Sequence, residues 1–369
     1  MIPVNRPALD GNERQYLLEC IDSGWVSSEG PFVARFENAF AKRLGRRHAI
    51  AVSSGTAALD AALAALRLQA GDEVIVSAFT IISCVSAIVR AGATPVLVDC
   101  DPRTLTVDVD ALRMRIGPRT RAIMPVHIYG LPADMGPILE LAREHGLRVI
   151  EDAAEAIGVR YRDRECGSFG DASCMSFYAN KHVTSGEGGM IFTDDDEVAA
   201  RCRALRNLCF TSERRFVHEE LGWNWRMCNL QAAVGLAQLE RLDDTVARKR
   251  EIGRLYQDLL ADVAQVELPP EAIGDTRNGY WVFGLQLRDE VPFDAAEAAQ
   301  RLLAMGVQTR PFFWPMHEQP VLRRMGLFDG ERYPVAERAA RRGFYLPSGS
   351  GTSDDEIRSA ARATREVLS

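Results

Sequence analysis

The chain has 369 residues, 47% of them hydrophobic and 26% charged, with a formal net charge of −7. Such proportions describe a globular protein with a substantial core, long enough for two or three domains, and exclude a disordered chain. The acidic balance argues against a general nucleic-acid binder, and the basic run "ARKR" (247–250) falls in a helical pattern that reads as solvated surface, although a few arginines still suffice to hold a diphosphate locally.

The opening "MIPVNRPALDGNER" has no apolar run of the kind that directs secretion, which points to the cytoplasm. Between residues 47 and 193, strand-like runs alternate with helix-like segments: "HAIAV" then "GTAALDAALAALRL", "EVIVS" then "IISCVSAIVRAG", "PVLVD" then "VDALRMRI", "RAIMPVH" then "MGPILELAREHG", and "LRVIED". Continuous apolar strands joined by helices imply a mostly parallel sheet, an α/β domain. The uncharged stretch 74–89 is shorter than the roughly 20 residues a membrane span needs and reads as a strand leading into a helix. After "SCMSFY" and "GMIFTD", helical patterns cover 195–207 and 230–260, and strand and helix alternate again from "YWVFGLQL". The predicted division is 1–247, including an N-terminal arm, and a smaller α+β domain at 248–369. Eight cysteines show no CxxC pair and no clustering with histidine, so free thiols are expected rather than a disulfide framework or a zinc site.

Three stretches point to chemistry. "SSGTAAL" (53–59) follows a strand and opens a helix, where free N–H groups favour an anion, although an ordinary capped helix would read the same. In "VIEDAAEA" (149–156), Glu151 and Asp152 end an apolar strand, where open α/β sheets bind ligands; a solvated loop acid is the plain alternative. In "FYANKHVTSGEGGM" (177–190), Lys181 precedes Gly186, Gly188 and Gly189. The chain has only two other lysines, Lys42 and Lys249. Unlike arginine, a desolvated lysine loses its proton readily and forms a Schiff base. A surface lysine in a glycine loop would look similar. Together, a phosphate cradle, a strand-end acid and this lysine point to pyridoxal phosphate, whose ring nitrogen needs a carboxylate partner.

With these residues, the sequence resembles the DegT/DnrJ/EryC1/StrS family of sugar aminotransferases over nearly its whole length, through "SSGTAAL", "GDEVIV", "MPVHIYG", "VIEDAAEAIG", "GSFGDASCMSFYANKHVTSGEGGM" and "LGWNWRMCNLQAAVGLAQLERL". The resemblance implies the type I (aspartate aminotransferase) fold, a mostly parallel central sheet with a smaller C-terminal α+β domain. It also implies pyridoxal 5'-phosphate, passing through pyridoxamine phosphate; L-glutamate as donor; a nucleotide-linked ketosugar as acceptor; and a homodimer with shared sites, with neither nucleic acid nor membrane as partner. Carried over by position, Lys181 would bond to the cofactor, Asp152 would pair with its ring nitrogen and Glu155 would approach its ring hydroxyl. Gly55, Thr56 and Ser176 would hold the phosphate, Phe79 would stack on the ring, and Asn224 would reach the phosphate from the other subunit. Arg226 would assist there or serve the loop's structure. Trp25, Ser28, Arg310, Phe312 and His317 lie in stretches similar to substrate-facing loops, whereas Phe313 and Trp314 read as packing. The beginning "IPVNRPALDGNERQ" and "RPFFWPMH" are most similar to members that aminate GDP-linked 4-keto-6-deoxymannose at C4; a UDP- or dTDP-linked sugar, or amination at C3, is the alternative. Related sugar dehydratases carry histidine in place of the lysine, so Lys181 disfavours dehydration and leaves His182 as a packing residue. A non-catalytic regulator has no use for so complete a cofactor set. Ser77 stands where many relatives have proline, which predicts a local backbone change.

Overall fold

The computed structural model describes residues 1–210, 214, 216–274 and 276–369. Two helices come first, α1 (Glu13–Ser23) and α2 (Pro31–Leu44); proline opens the second and Gly45, left-handed at φ 66°, ends it. Strand and helix then alternate as the apolar pattern predicts: β1 (His48–Val52), α3 (Gly55–Ala65), β2 (Glu73–Ser77), α4 (Ile82–Arg90), β3 (Thr94–Val98), α5 (Val109–Arg115), β4 (Thr120–Met124), α6 (Met135–His145) and β5 (Arg148–Asp152). A short hairpin, β6 (Arg160–Tyr161) with β7 (Arg164–Glu165), precedes β8 (Ala172–Ser176) and β9 (Gly189–Thr193).

Seven of these strands form one sheet in the order β1-β9-β8-β5-β4-β2-β3. β9 runs antiparallel to both neighbours and the remaining pairs are parallel. Helices cover both faces, which is why strands such as β9 are apolar and buried at every position. The stretch 74–89 resolves into β2 and α4. No described helix is long and apolar enough to cross a membrane.

Three helices follow, α7 (Asp196–Arg206), α8 (Asn229–Glu240) and α9 (Leu242–Leu260), with Arg241 at φ −112° breaking the helical stretch expected over 230–260. The rest of the chain supplies β10 (Val266–Glu267), the hairpin β11 (Ala272–Ile273) and β12 (Thr276–Arg277), β13 (Phe283–Leu287), α10 (Ala295–Ala304), β14 (Arg310–Pro311), α11 (Pro320–Arg324), α12 (Pro334–Arg342), β15 (Gly343–Leu346) and α13 (Asp354–Leu368). A second, antiparallel sheet has the order β10-β13-β15-β14.

Helix α9 joins the two cores. Its Leu242 and Val246 pack with Phe36 and Leu236 of the first, and Ile252, Tyr256 and Leu260 pack with Phe283 and Phe344 of the second. Two segments cross the division at 247: Ile2 bridges to Val307 beside the second sheet, whereas Phe312, Met316, Leu322 and Tyr333 join the core over α3 and α4. One sequence expectation is corrected here. Within "ARKR", Lys249 is not solvated: it is 2% exposed, and its ammonium donates to the carbonyls of Trp281 (2.7 Å) and Ser348. It occupies the stripe of α9 that faces inward, so its position, not its charge, decides its burial.

Candidate active site

A cavity of about 350 Å³ opens where the strands β5 and β8 end, closed from the other side by Trp281, Phe313 and Tyr345. The C-terminal ends of parallel strands are the expected place for a ligand in such a sheet. β9 runs the other way, so its first residue, Gly189, lies at the same edge, opposite Val52 and Ser176.

At one end of the cavity, α3 presents its N-terminus. Ser54 caps it by accepting from the Ala57 N–H (3.1 Å), and Thr56 Oγ1 lies 2.9 Å from Ser83 Oγ. A Cβ on Gly55 would stand 2.6 Å from Ser176 Cβ, and one on Gly189 would collide with the Ser54 carbonyl. Glycine at both positions therefore lets the helix start, the β8 end and the β9 start converge. The result is a concave polar surface at the positive end of a helix dipole, suited to a phosphate.

The two carboxylates ending β5 part company because adjacent strand residues point to opposite faces. Glu151 accepts from the N–H groups of Gly167 (2.6 Å) and Phe169 (2.8 Å) and from His127 Nε2 (2.8 Å), while His127 Nδ1 accepts from Ala133 N–H (3.0 Å). Those bonds fix the proton of His127 on Nε2. Asp152 faces the cavity instead, accepting from the Cys84 thiol (3.2 Å) and the Ala154 N–H (3.1 Å). Burial pushes the Cys84 thiol well above its ordinary pKa, with the Asp152 charge adding to the effect, so the sulfur keeps its proton and donates.

Lys181 Nζ lies 3.6 Å from Glu155 Oε1 and 3.5 Å from the centroid of the Trp281 ring. Burial lowers its pKa, against the pull of Glu155 and Asp152. Burial also raises Glu155 from 4.5 to about 7, with Lys181 opposing the shift. The other oxygen of Glu155 accepts from Tyr129 N–H (2.9 Å), where the backbone is left-handed at φ 53°. Trp281 is fixed in turn by its indole N–H donating to the Asn180 carbonyl (2.9 Å). An amine, two carboxylates in different environments and an anion cradle thus share one enclosed space. The donor set fits pyridoxal phosphate: a cradle for its phosphate, a carboxylate for its ring nitrogen and an amine for its aldehyde.

The structure brings Lys181, Asp152, Glu155, Gly55, Thr56 and Ser176 together in the walls of this cavity. It does not bring Phe79 there. Phe79 is fully buried and packs against Tyr129, Phe312 and Phe313, with ring centroids 5.8 to 6.1 Å away. Ser77 Oγ accepts from the Phe79 N–H (3.1 Å) as the chain leaves β2, and Thr80 and Ile81 are the residues that reach the cavity. The adjacent aromatics also exchange the roles expected of them: Phe312 is 6% exposed in the core, and Phe313 lines the cavity. His317 lies elsewhere as well, 1% exposed, edge-on to Tyr333 and 3.0 Å from Glu337, a carboxyl that Arg332 holds down at about 2. Arg310 is exposed on β14 beside Tyr345, outside the cavity wall. Trp25 is half-exposed, with its carbonyl held by Asn229, and Ser28 sits in the same loop; neither reaches the cavity of its own chain. Asn224 is exposed, accepting from Arg226 Nε (2.9 Å) between the stacked Trp223 and Trp225. His182 is buried, donates through Nδ1 to the Ile157 carbonyl (2.8 Å), and is kept neutral by burial, its pKa pushed down to about 3. All eight cysteines are free. Cys84, Ile81, Trp281 and Tyr345 escaped the sequence reading; only Trp281, in the aromatic run "YWVF" that leads into β13, carried a visible signal.

A mostly parallel sheet with a lysine, an acid and an anion cradle where its strands end makes a site fit for a pyridoxal-phosphate enzyme, a class that includes the aminotransferases. The sequence profile of the DegT/DnrJ/EryC1/StrS aminotransferase family matches residues 7–365, and the chain belongs to that family. It is 44% identical over 367 residues to GDP-perosamine synthase of Caulobacter vibrioides, covering 100% of this chain and 98% of the relative. To GDP-perosamine synthase of Vibrio cholerae it is 41% identical, covering 97% and 96%. Among solved structures, the aminotransferase TlmJ from Streptoalloteichus hindustanus superposes with a TM-score of 0.91 at 32% identity, covering 100% of this chain and 99% of that one.

Proposed function

We propose that this protein is a pyridoxal-phosphate enzyme that transfers the amino group of L-glutamate to C4 of GDP-linked 4-keto-6-deoxymannose, giving GDP-perosamine. The placement of Lys181 Nζ between Glu155 and the Trp281 ring, in one cavity with Asp152, carries the chemistry. The choice of sugar rests on the two relatives named for that product. When bound, the cofactor supplies an electron sink for the bonds at the amine-bearing carbon. Gly55, Thr56 and Ser176 would hold its phosphate. Asp152 would keep the ring nitrogen protonated, with the Cys84 thiol and the Ala154 N–H fixing the carboxylate. Lys181 is the base: its Nζ takes the proton from Cα of glutamate in one half-reaction and returns a proton to the sugar carbon in the other. Its lowered pKa raises the free-amine fraction available for that work. Glu155, close to 7, holds or releases a proton beside Nζ at little cost.

The shared-site dimer belongs to the same proposal. Exposed Leu18, Ile21, Trp25, Val26, Leu221 and Trp223 offer apolar surface for a second copy, which would bring Asn224 and Trp25 toward the neighbouring cavity. The test is the visible spectrum of protein reconstituted with pyridoxal phosphate, before and after L-glutamate, beside Lys181→Ala. A lysine-dependent band that glutamate bleaches, followed by amination of the GDP-ketosugar in preference to UDP- and dTDP-linked ones, is the expected result. A band unaffected by glutamate would overturn the donor, and preference for another nucleotide would overturn the acceptor.

A further inference from the structure

A second cavity, about 650 Å³ and sharing no wall residue with the first, lies between the end of α2, the hairpin β6–β7, the first half of α9 and β12. Five arginines line it: Arg43, Arg160, Arg162, Arg250 and Arg277. Only two carboxylates do, Glu165 and Asp243, and both are bound to Arg43, at 3.0 and 2.5 Å. Three positive charges are thus left uncompensated in one hollow of a chain whose net charge is −7.

Among the described residues, no carboxylate lies within ion-pair distance of Arg160, Arg162, Arg250 or Arg277. Arg160 acts on Asp243 only beyond that distance, and the contacts of two others are neutral. Arg250 Nε donates to the Asn278 carbonyl (3.2 Å), and the Arg162 guanidinium lies 5.2 Å from the centroid of the Tyr161 ring. Burial depresses the pKa of Arg250, and the charge of Arg277 depresses it further. Like charges gathered round a hollow repel one another unless an anion enters, and guanidinium forks match phosphate oxygens two at a time. A single carboxylate would leave most of the surplus unmatched; a diphosphate would cancel most of it.

We propose that this cleft is a binding site for a diphosphate, either inorganic or carried by a nucleotide, distinct from the Lys181 cavity. The test is calorimetric titration of the cofactor-loaded protein with inorganic pyrophosphate and, separately, with GDP, on wild type and on Arg160→Glu/Arg277→Glu. Both substituted residues are exposed, so the fold should survive, and an unchanged melting temperature checks that. Saturable pyrophosphate binding by wild type, weakened at least about tenfold by the double substitution, is the expected result. If GDP binds more tightly than pyrophosphate and is lost with it, the site reads a nucleotide; if GDP binds no better, it reads the phosphates alone. No saturable pyrophosphate binding up to millimolar concentration, or equal affinity in the variant, would overturn the proposal.

Discussion

Lys249 makes the physical reasoning measurable. Its amine is 2% exposed, pairs with no acid among the described residues, and is held by the carbonyls of Trp281 and Ser348. Burial lowers its pKa from 10.5 to about 7. Between those two values the unfolded chain holds a proton that the folded chain lacks, so stability from this group rises with pH through the window and is lost as pH falls toward 7. Each pH unit corresponds to about 1.4 kcal/mol, so moving from pH 7.5 to 9.0 should add about 2 kcal/mol. Lys249→Met keeps the stem and removes the titration, while leaving two carbonyls without a donor at roughly 1–3 kcal/mol each. The variant should therefore be less stable at pH 9.0, with a deficit about 2 kcal/mol smaller at pH 7.5. Urea unfolding of both proteins at the two pH values, followed by tryptophan fluorescence, measures this, and the buried thiols common to both cancel in the difference. A deficit that does not change with pH would refute the account of Lys249 as a desolvated, titrating amine.

Glu155 should act in the opposite sense. Its folded pKa of about 7 lies above the ordinary 4.5, so its stabilising contribution is complete below 4.5 and is lost as pH rises through 7. Thermal melts of cofactor-free protein at pH 5 and pH 7 should show a loss of roughly 2 kcal/mol that Glu155→Gln does not show. Gly55→Ala drives a methyl against Ser176 and should weaken retention of pyridoxal phosphate on dialysis by about tenfold or more, read from bound absorbance, and should also lower the melting temperature, because the α3 start must move away from the end of β8. Phe79→Ala should cost about 3–5 kcal/mol in chemical unfolding, as expected for emptying a core site, while Ile81→Ala should leave stability nearly intact and alter cofactor retention. The reverse pattern would restore Phe79 to the cavity.

The central sheet was legible because its strands are buried on both faces and therefore largely apolar, and because β1 to β4 are each followed by a helix. Lys181, Asp152 and Ser54–Thr56 were legible because they sit where those strands end. The far wall was not. Tyr345 belongs to the second sheet and Trp281 and Phe313 lie just outside its strands, all at least a hundred residues from Lys181, and only tertiary packing brings them over it. Phe79 and Ile81 differ by two residues in a loop where β2 has ended and strand alternation no longer tells inside from outside. In "RPFFWPMH" the same difficulty exchanged Phe312 for Phe313. Lys249 differs from these, since its burial was available in the spacing Leu242, Val246, Lys249, Gly253, Tyr256, Leu260, all buried. Reading charge before periodicity concealed it.

The pair Glu151 and Asp152 shows how the fold divides one kind of side chain between two tasks. Both are buried carboxylates on adjacent residues, and the alternation of β5 sends them to opposite faces. Glu151 is surrounded by strong donors, two backbone N–H groups and a histidine N–H, which pin the 167–169 turn and His127 to the strand. Its charge is consumed locally. Asp152 has one backbone N–H and one thiol, and a thiol is a weak donor. Much of its charge therefore remains directed into the cavity, where it helps to raise the pKa of Glu155 and opposes the fall in that of Lys181. A cation placed against Asp152 would relieve the first effect, moving Glu155 toward its ionised form, and would weaken the direct pull of Asp152 on the Lys181 proton while the ionised Glu155, 3.6 Å from Nζ, pulls on it more strongly. If Asp152 holds a protonated ring nitrogen as proposed, the proton of Lys181 would therefore answer chiefly to Glu155, the nearer of the two acids.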